Sequence, residues 1–369
     1  MPKKFVNKSN HMLRPTVLLF SIYFLSWINS SAQDLPSKLD SIISREFVNP
    51  NEPGGVFMVS KNGKPIYQRA IGKANIELGV DLSIESVFQI GSMTKQFTAI
   101  AILLLEQEGK LRVEDSITKY LPDYPNGEKI TIHHLLTHTS GIKDFTKMKS
   151  LKDISQKEMS PKMMVDFFKN EPVDFSPGEK FEYNNSGYII LGYIIELLSG
   201  KSYESFIEEN IFRKIGMTHS YYASDRKIIA RRAYGYQQKE TGLVNKTSIN
   251  FSVPYSSGAL MSTLEDLLKW QNALRDYSIL RKEFADKAFK VYPLNSGELH
   301  SYGYGWHIRN TLEKITREHG GSIFGFKSMA IYIPEEDIYV VGLTNCDCKS
   351  PTQLIKSVAE TIIKSSHKE

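Results

Sequence analysis

A serine and a lysine three residues apart, Ser92 and Lys95, open an apolar run that continues to Leu105. Such a run predicts a buried helix, and residues three apart on a helix lie on the same face. The N-terminal end of a helix carries a partial positive charge, and a lysine in apolar surroundings loses several units of pKa. A serine beside such a base is the general arrangement for an activated nucleophile.

The same spacing has a structural interpretation, in which Ser92 only caps the helix and Lys95 is a first-turn surface residue. Four other serine–lysine pairs share the separation: Ser116–Lys119, Ser140–Lys143, Ser224–Lys227 and Ser365–Lys368. Spacing alone leaves both interpretations open.

A second stretch, PGEKFEYNNSGY, places Tyr183 and Asn185 two residues apart, immediately before another apolar helix. A phenol beside a lysine ammonium becomes accessible as phenolate and can act as a general base. An asparagine amide can orient a substrate carbonyl. The alternative is a loop tyrosine followed by an Asx-turn.

A third stretch, REHGGSIFGFKS, places His319 before the glycine pair Gly320-Gly321 and a strand-like run. Paired glycines allow a ligand or another backbone to approach closely, and an exposed N–H there could donate to an oxyanion. The alternative is a hairpin glycine pair with a surface histidine.

The elements that would position these residues follow from the hydrophobic pattern. The pattern predicts a hairpin at residues 54–72 around Asn62-Gly63, and a mostly helical region from about residue 92 to residue 275. After that region three strand-like runs return, at 302–309, 327–334 and 338–345, before an amphipathic helix at 351–364. We therefore predict an α/β (α+β) fold, in which an antiparallel sheet built from both termini is flanked by helices and a large, mostly helical region is inserted between.

The N-terminus has the pattern of a secretory signal. Four basic residues, Lys3, Lys4, Lys8 and Arg14, precede an apolar stretch at 16–28, and Ser30-Ser31-Ala32 follows. We predict a cleavable signal peptide at residues 1–32, a single domain at 33–369 and a secreted or periplasmic location; an uncleaved anchor is the alternative. Removing the segment before Asp34 lowers the net charge from +5 by four to +1, which gives no electrostatic support for a nucleic-acid partner.

Only two cysteines occur, Cys346 and Cys348. Their separation suits neither a zinc site nor a structural disulfide, so they are interpreted as small residues at a strand end. No metal site is predicted.

Together, the Ser-x-x-Lys, Tyr-x-Asn and His-x-Gly stretches resemble the serine β-lactamase and penicillin-binding D,D-peptidase superfamily, in its class C-like branch. The segments IHHLLTHTSGI, SSGALMSTLEDLLKW and YGYGW fit the same pattern. The resemblance spans about residues 39–363.

The resemblance implies a serine acyl-enzyme mechanism without a metal or organic cofactor. Ser92 would attack a carbonyl, and Lys95 and Tyr183 would handle the proton. Asn185, His319 and Gly321 would bind the substrate, while the N–H groups of Ser92 and Ser322 would form an oxyanion hole.

One departure bears on the substrate, since class C β-lactamases carry Lys-Thr-Gly where this chain has His319-Gly320-Gly321. Without a lysine there, recognition of a β-lactam carboxylate should be poorer. We therefore expect a serine hydrolase acting on a small peptide, amide or ester, D,D-carboxypeptidase-, D-aminopeptidase- or esterase-like, with peptidoglycan fragments among the implied substrates. The alternatives are a class C-type β-lactamase and a non-catalytic penicillin-binding-like protein.

Overall fold

The computed structural model describes residues 1–4 and 34–366, and it divides the chain into two compact units, Met1–Arg45 and Glu46–Glu369. Beyond position 4, the predicted signal peptide at residues 1–32 lies outside the described residues. The helix α1 (Asp34–Glu46) forms most of what is described of the first unit. All features below belong to the second unit.

The helices of the second unit fall mainly between the first and last strands of its large sheet. In chain order they are α2 (Thr94–Gln107), α3 (Ile132–Leu136), α4 (Leu151–Ile154), α5 (Pro161–Phe168), α6 (Asn185–Ser199), α7 (Tyr203–Ile207), α8 (Tyr255–Gly258), α9 (Leu264–Arg275), α10 (Lys282–Ala288) and α11 (Thr352–Ser366). Short 3-10 turns occupy Gly91–Met93, Ile117–Lys119, Gly127–Lys129, Phe145–Lys147, Arg213–Ile215 and Pro334–Glu336, and a π-helical turn covers Glu208–Phe212.

The strands comprise a few long ones near the two ends of the unit and many of two to four residues between. They are β1 (Gly55–Lys61), β2 (Lys64–Ile71), β3 (Lys73–Asn75), β4 (Val80–Asp81), β5 (Phe88–Gln89), β6 (Tyr221–Tyr222), β7 (Tyr236–Lys239), β8 (Gly242–Asn245), β9 (Leu260–Ser262), β10 (Tyr292–Pro293), β11 (Leu299–His300), β12 (His307–Thr311), β13 (Lys314–Ile323), β14 (Phe326–Ile333) and β15 (Ile338–Thr344).

One six-stranded antiparallel sheet has the order β12-β13-β14-β15-β1-β2, so early strands complete a sheet begun by late ones. β15 is buried along its whole length, and the apolar side chains of β1 are buried with it. Asn62 and Gly63 link β1 to β2 with positive φ values of 51° and 70°, as the Asn-Gly hairpin signal requires. The predicted fold class is confirmed.

The helical region places α2 at the centre of the unit. Every residue of α2 from Thr94 to Glu106 is buried, and the helix contacts α6, α8 and α10. A helix that is apolar on nearly all sides belongs in the interior, which agrees with the apolar run seen in the sequence. Within the described residues, none of the helices combines the length and apolar character that a membrane crossing requires.

Two expectations differ from the structure. Cys346 and Cys348 form a disulfide, with their Cα atoms 5.1 Å apart. The prediction that their spacing excludes one was wrong, because the chain turns back within the two-residue separation directly after β15. His319, Gly320 and Gly321 lie inside β13 rather than before a strand, because close contact with another segment makes glycines tolerable there.

Candidate active site

Ser92 lies in the 3-10 turn Gly91–Met93, which runs directly into α2. Neither the turn nor α2 begins with a side-chain cap, so the interpretation of Ser92 as a helix cap was wrong. Gly91 has a φ of 52°, and a Cβ there would stand 2.7 Å from the backbone nitrogen of Ser322. Glycine at position 91 therefore lets the serine turn lie directly against strand β13.

Lys95 is fully buried, one helical turn after Ser92. Its Nζ donates to Ser92 Oγ at 3.2 Å, to Asn185 Oδ1 at 2.8 Å and to the carbonyl oxygen of Ser257 at 2.9 Å. Three acceptors match the three N–H bonds of an ammonium. If the amine loses one proton, Asn185 and Ser257 still accept two, and the lone pair faces Ser92.

Burial lowers the pKa of Lys95 to about 7, and the negative charge of Asp144 opposes that change. Desolvation disfavours the charged form of an amine, so a substantial neutral fraction exists at neutral pH. The lysine expected from the sequence to act as a base therefore has both the contact and the proton affinity that the role needs.

Tyr183 lies over the same amine, with Lys95 Nζ 4.9 Å from the centre of its ring. Its hydroxyl is buried and makes no hydrogen bond within the described residues, although Ser92 is near enough to affect its pKa. Burial raises the pKa of Tyr183 above its ordinary value; the Ser92 hydroxyl acts in the opposite direction, and Asp144 adds to the rise. The phenol is thus held protonated, which differs from the phenolate expected from the sequence.

Asn185 connects the lysine to a carboxylate that sequence reasoning missed. While its Oδ1 accepts from Lys95, its Nδ2 donates to Asp144 Oδ2 at 3.1 Å and to Thr146 Oγ1 at 3.3 Å. Asp144 is only 3% exposed and caps the turn Phe145–Lys147. In the sequence Asp144 is a single aspartate two residues after the segment IHHLLTHTSGI, and no motif marks it.

Strand β13 places its residues alternately inward and outward, as strands do. Ser322 is exposed, whereas His319 and Gly321 are buried. A Cβ on Gly321 would lie 1.9 Å from the carbonyl oxygen of Ile90. The missing side chain at Gly321 thus accommodates the backbone in front of Ser92.

The His319 ring packs inside the protein instead of pointing into the cavity. Its Nε2 is 2.9 Å from the hydroxyl of Tyr302, and its Nδ1 is 2.6 Å from the carbonyl oxygen of Gly320. Burial holds the pKa of His319 well below its usual value, and the charges of His307 and Lys95 act in the same direction. The ring therefore carries no positive charge at neutral pH.

A cavity of about 540 Å³ opens beside the serine. Of the residues predicted from the sequence, Ser92, Tyr183, Asn185 and Ser322 line it, whereas Lys95, His319 and Gly321 do not. Its other walls combine apolar and charged side chains, among them Phe145, Leu151, Ile249, Val253, Phe324, Lys327 and Asp347. Sequence reasoning gave no role to Lys327, although it lies within the REHGGSIFGFKS stretch, and none to Asp347, which belongs to no motif.

Two serines from the other serine–lysine pairs make local structural contacts. Ser116 caps the turn Ile117–Lys119, and Ser224 accepts hydrogen bonds from the backbone N–H groups of Arg226 and Lys227. Among the residues that the structure describes, no group of three or more His, Cys, Asp or Glu side chains is arranged to hold a metal ion.

Comparison with known proteins gives consistent similarities. The β-lactamase family model matches residues 39–359. Penicillin-binding protein 4* of Bacillus subtilis (strain 168) is 31% identical over 310 residues, which is 79% of this chain and 68% of that protein.

Two solved structures share the fold over most of the chain. The octameric penicillin-binding protein homologue from Pyrococcus abyssi aligns with a TM-score of 0.78 and 31% identity, over 89% of this chain and 77% of that one. A D-amino acid amidase from Ochrobactrum anthropi SV3 aligns with a TM-score of 0.78 and 25% identity, over 91% and 99% of the two chains.

Proposed function

Because the chain belongs to the β-lactamase family and is a serine hydrolase of the β-lactamase and penicillin-binding protein superfamily, we propose that Ser92, Lys95 and Tyr183 hydrolyse a peptide, amide or ester through an acyl-enzyme. The observation that carries this proposal is the 3.2 Å contact between Ser92 Oγ and the buried Lys95 amine, whose pKa is about 7.

In acylation, neutral Lys95 takes the proton of Ser92 while the serine oxygen attacks the substrate carbonyl. Asn185 and Ser257 accept the two remaining N–H bonds of the amine and keep its lone pair directed at the serine. The resulting ammonium is stabilised by the negative charge of Asp144. Asn185 acts in this step by orienting the lysine.

Tyr183 is suited to protonate the leaving group because its phenol stays neutral beside the new ammonium. The phenol gives its proton to the departing nitrogen or oxygen, and Lys95 returns a proton to the phenolate. Water then attacks the acyl-enzyme carbonyl and gives a proton to neutral Lys95. As the ester bond to Ser92 breaks and the acid leaves, Lys95 returns that proton to Ser92 Oγ.

The oxyanion formed during attack needs two donors, for which the backbone N–H groups of Ser92 and Ser322 are the candidates. The contact of the Ser92 turn with β13 brings the two backbones together. Loss of one such donor typically costs about 3 kcal/mol of transition-state stabilisation.

For the substrate, similarity to a D-amino acid amidase and to penicillin-binding proteins supports an amide or peptide. Peptidoglycan fragments are a candidate on the sequence resemblance alone. A partly apolar cavity of about 540 Å³ has room for a short peptide or acylated amino acid. The class C-like assignment and β-lactam hydrolysis remain the second enzymatic candidate; retention of the serine–lysine contact argues against a non-catalytic protein.

Export is part of the proposal. The signal-like residues 1–32 predict a secreted or periplasmic protein, with no stable membrane anchor after cleavage. The Cys346–Cys348 disulfide supports this location, because disulfides persist mainly in oxidising compartments.

The test is a substrate screen on the purified mature protein, with short-chain p-nitrophenyl esters, D-amino acid amides, D-Ala-D-Ala peptides and nitrocefin. We expect turnover of an ester or amide and its loss in Ser92→Ala. Dominant nitrocefin hydrolysis would favour the β-lactamase alternative, and failure of the protein to form any acyl adduct with labelled penicillin or a fluorophosphonate would favour the non-catalytic one.

A further inference from the structure

The strand that borders the cavity carries no charge at the position where the resemblance places a substrate-binding residue. His319 is 3% exposed, and its two ring nitrogens face Tyr302 and Gly320 within the protein. An anionic substrate would gain no charge–charge attraction from this buried ring. A cation that binds a negatively charged substrate must therefore be supplied by another residue of the cavity.

The neighbouring strand supplies such a cation. Lys327 on β14 pairs in register with Ser322 on β13, and its Nζ donates to Ser322 Oγ at 2.7 Å. Both side chains line the cavity that contains Ser92. The lysine amine is therefore one hydrogen bond away from the residue whose backbone N–H is the candidate oxyanion donor.

Lys327 has no carboxylate partner within ion-pair distance in the described part of the chain. Its Nζ donates a hydrogen bond to the neutral hydroxyl of Ser322. Asp347 lines the same cavity without pairing with it; Asp347 Oδ2 instead accepts from Gln237 Nε2 at 2.7 Å. A half-buried ammonium at the cavity wall without a counter-ion is an available site for an anion.

We infer that Lys327 is the specificity-determining residue for a substrate carboxylate, which it binds beside Ser322 while the scissile carbonyl lies at Ser92. The substrate class is then an amide, peptide or ester whose leaving group carries a carboxylate. This inference rests on the proposed function and reverses the expectation that the absence of a lysine before Gly320-Gly321 weakens carboxylate recognition.

The role assigned to Lys327 can be tested by measuring ligand binding separately from turnover. In the Ser92→Ala protein, calorimetric titration with N-acetyl-D-alanyl-D-alanine should give a Kd about 10-fold or more below that for the corresponding C-terminal amide. Adding Lys327→Met should raise the Kd of the acid about 10- to 100-fold and leave that of the amide within about 2-fold, since a charge-assisted hydrogen bond to the acid alone is lost. Lys327→Arg should retain the preference.

Kinetics supply the second measurement. In the otherwise unchanged protein, Lys327→Met should lower kcat/KM for 3-carboxy-4-nitrophenyl acetate by about 10-fold or more relative to 4-nitrophenyl acetate, and the difference should shrink at high salt. Lys214→Met, which removes an exposed lysine of the turn Arg213–Ile215, is the matched control and should change neither rate.

The outcomes separate this inference from the proposed function. Absence of turnover of both esters by the unmodified protein counts against the proposed function. The titrations then test carboxylate binding by Lys327 independently of turnover. Equal affinity for acid and amide, equal weakening of both by Lys327→Met, or no binding of either ligand would each overturn the assignment. Thermal melts identify a Lys327→Met protein that is unfolded, in which case the Lys327→Arg and salt measurements decide.

Discussion

At the scale of single residues, helix capping does not explain the contact between Ser92 and Lys95, because Ser92 caps neither the 3-10 turn nor α2. Ser92→Ala should reduce turnover by more than about 10⁴-fold and abolish covalent labelling, because no other group forms the acyl intermediate. Its free energy of unfolding should change by less than about 1 kcal/mol. Intact-mass spectrometry after an acylating probe, with thermal melts, measures both.

The matched control is Ser116→Ala, which alters another serine of a Ser-x-x-Lys pair. It should retain activity and lose about 0.5–2 kcal/mol of stability, because Ser116 caps the turn Ile117–Lys119. One probe equivalent still bound by Ser92→Ala would refute the assignment of the nucleophile.

The pH dependence reports on Lys95. Because the neutral amine is the base, kcat/KM should rise with pH through a midpoint near the Lys95 pKa of about 7. The charge of Asp144 raises that pKa, so Asp144→Asn should move the rising limb to lower pH. Asp174→Asn, which affects a partly exposed partner of Lys143, should leave the midpoint in place. A limb that moves equally in both variants would contradict the role given to Asp144.

Much of the site was predictable from single residues and their spacing. The remaining site residues were not, for physical reasons. Ser92, Lys95, Tyr183 and Asn185 stand in short motifs whose spacing is set by local structure. Asp144 and Asp347 reach the cavity only because distant segments fold together, so no local pattern marks them. Lys327 stands within the REHGGSIFGFKS stretch, but its position beside Ser322 follows only from the pairing of β13 with β14. Likewise burial raises the pKa of the Tyr183 phenol above its ordinary value, and a sequence does not display burial.

At the scale of elements, the contact between β13 and the Ser92 turn depends on a missing side chain. Gly321→Ala would place a Cβ 1.9 Å from the carbonyl oxygen of Ile90, so the strand or the turn must move. Overpacking of this kind costs about 1–3 kcal/mol, and displacement of the serine by about 1 Å can cost roughly 100-fold in rate.

Gly320→Ala is the control in the same strand, since its Cβ would approach the carbonyl oxygen of Ser328 no closer than 3.2 Å. It should have a milder effect on both Tm and kcat. Equal losses in the two variants would show that glycine flexibility, rather than the contact with Ile90, is what the strand requires.

Most long elements were predictable because their apolar periodicity extends over several turns or residue pairs. The amphipathic helix predicted at 351–364 corresponds to α11 (Thr352–Ser366), and the strand predicted at 338–345 ends one residue beyond β15. The strands β3 to β11 are only two to four residues long, too short for a period to show. Their pairing is decided by tertiary contacts instead.

At the scale of the whole molecule, export is the prediction that sets where the protein works. N-terminal sequencing of the exported protein should begin close to Gln33, and thiol labelling should find Cys346 and Cys348 oxidised. A version without residues 1–32, kept in a reducing cytoplasm, should show labelled thiols. Protein that retains Met1 in the membrane would refute cleavage.

The pairing of β1 with β15 also governs how the chain can be made. The N–H of Gly54 donates to Asn345 Oδ1 across 291 residues, and the whole length of β1 pairs beyond it with β15. A ribosome must therefore release nearly the complete polypeptide before the sheet can close. Contacts of such separation fold slowly, which leaves β1 as an unpaired apolar edge for the duration of synthesis. Under the export predicted above, the same delay would keep the chain unfolded for translocation, and β1 would need protection from aggregation until β15 is available.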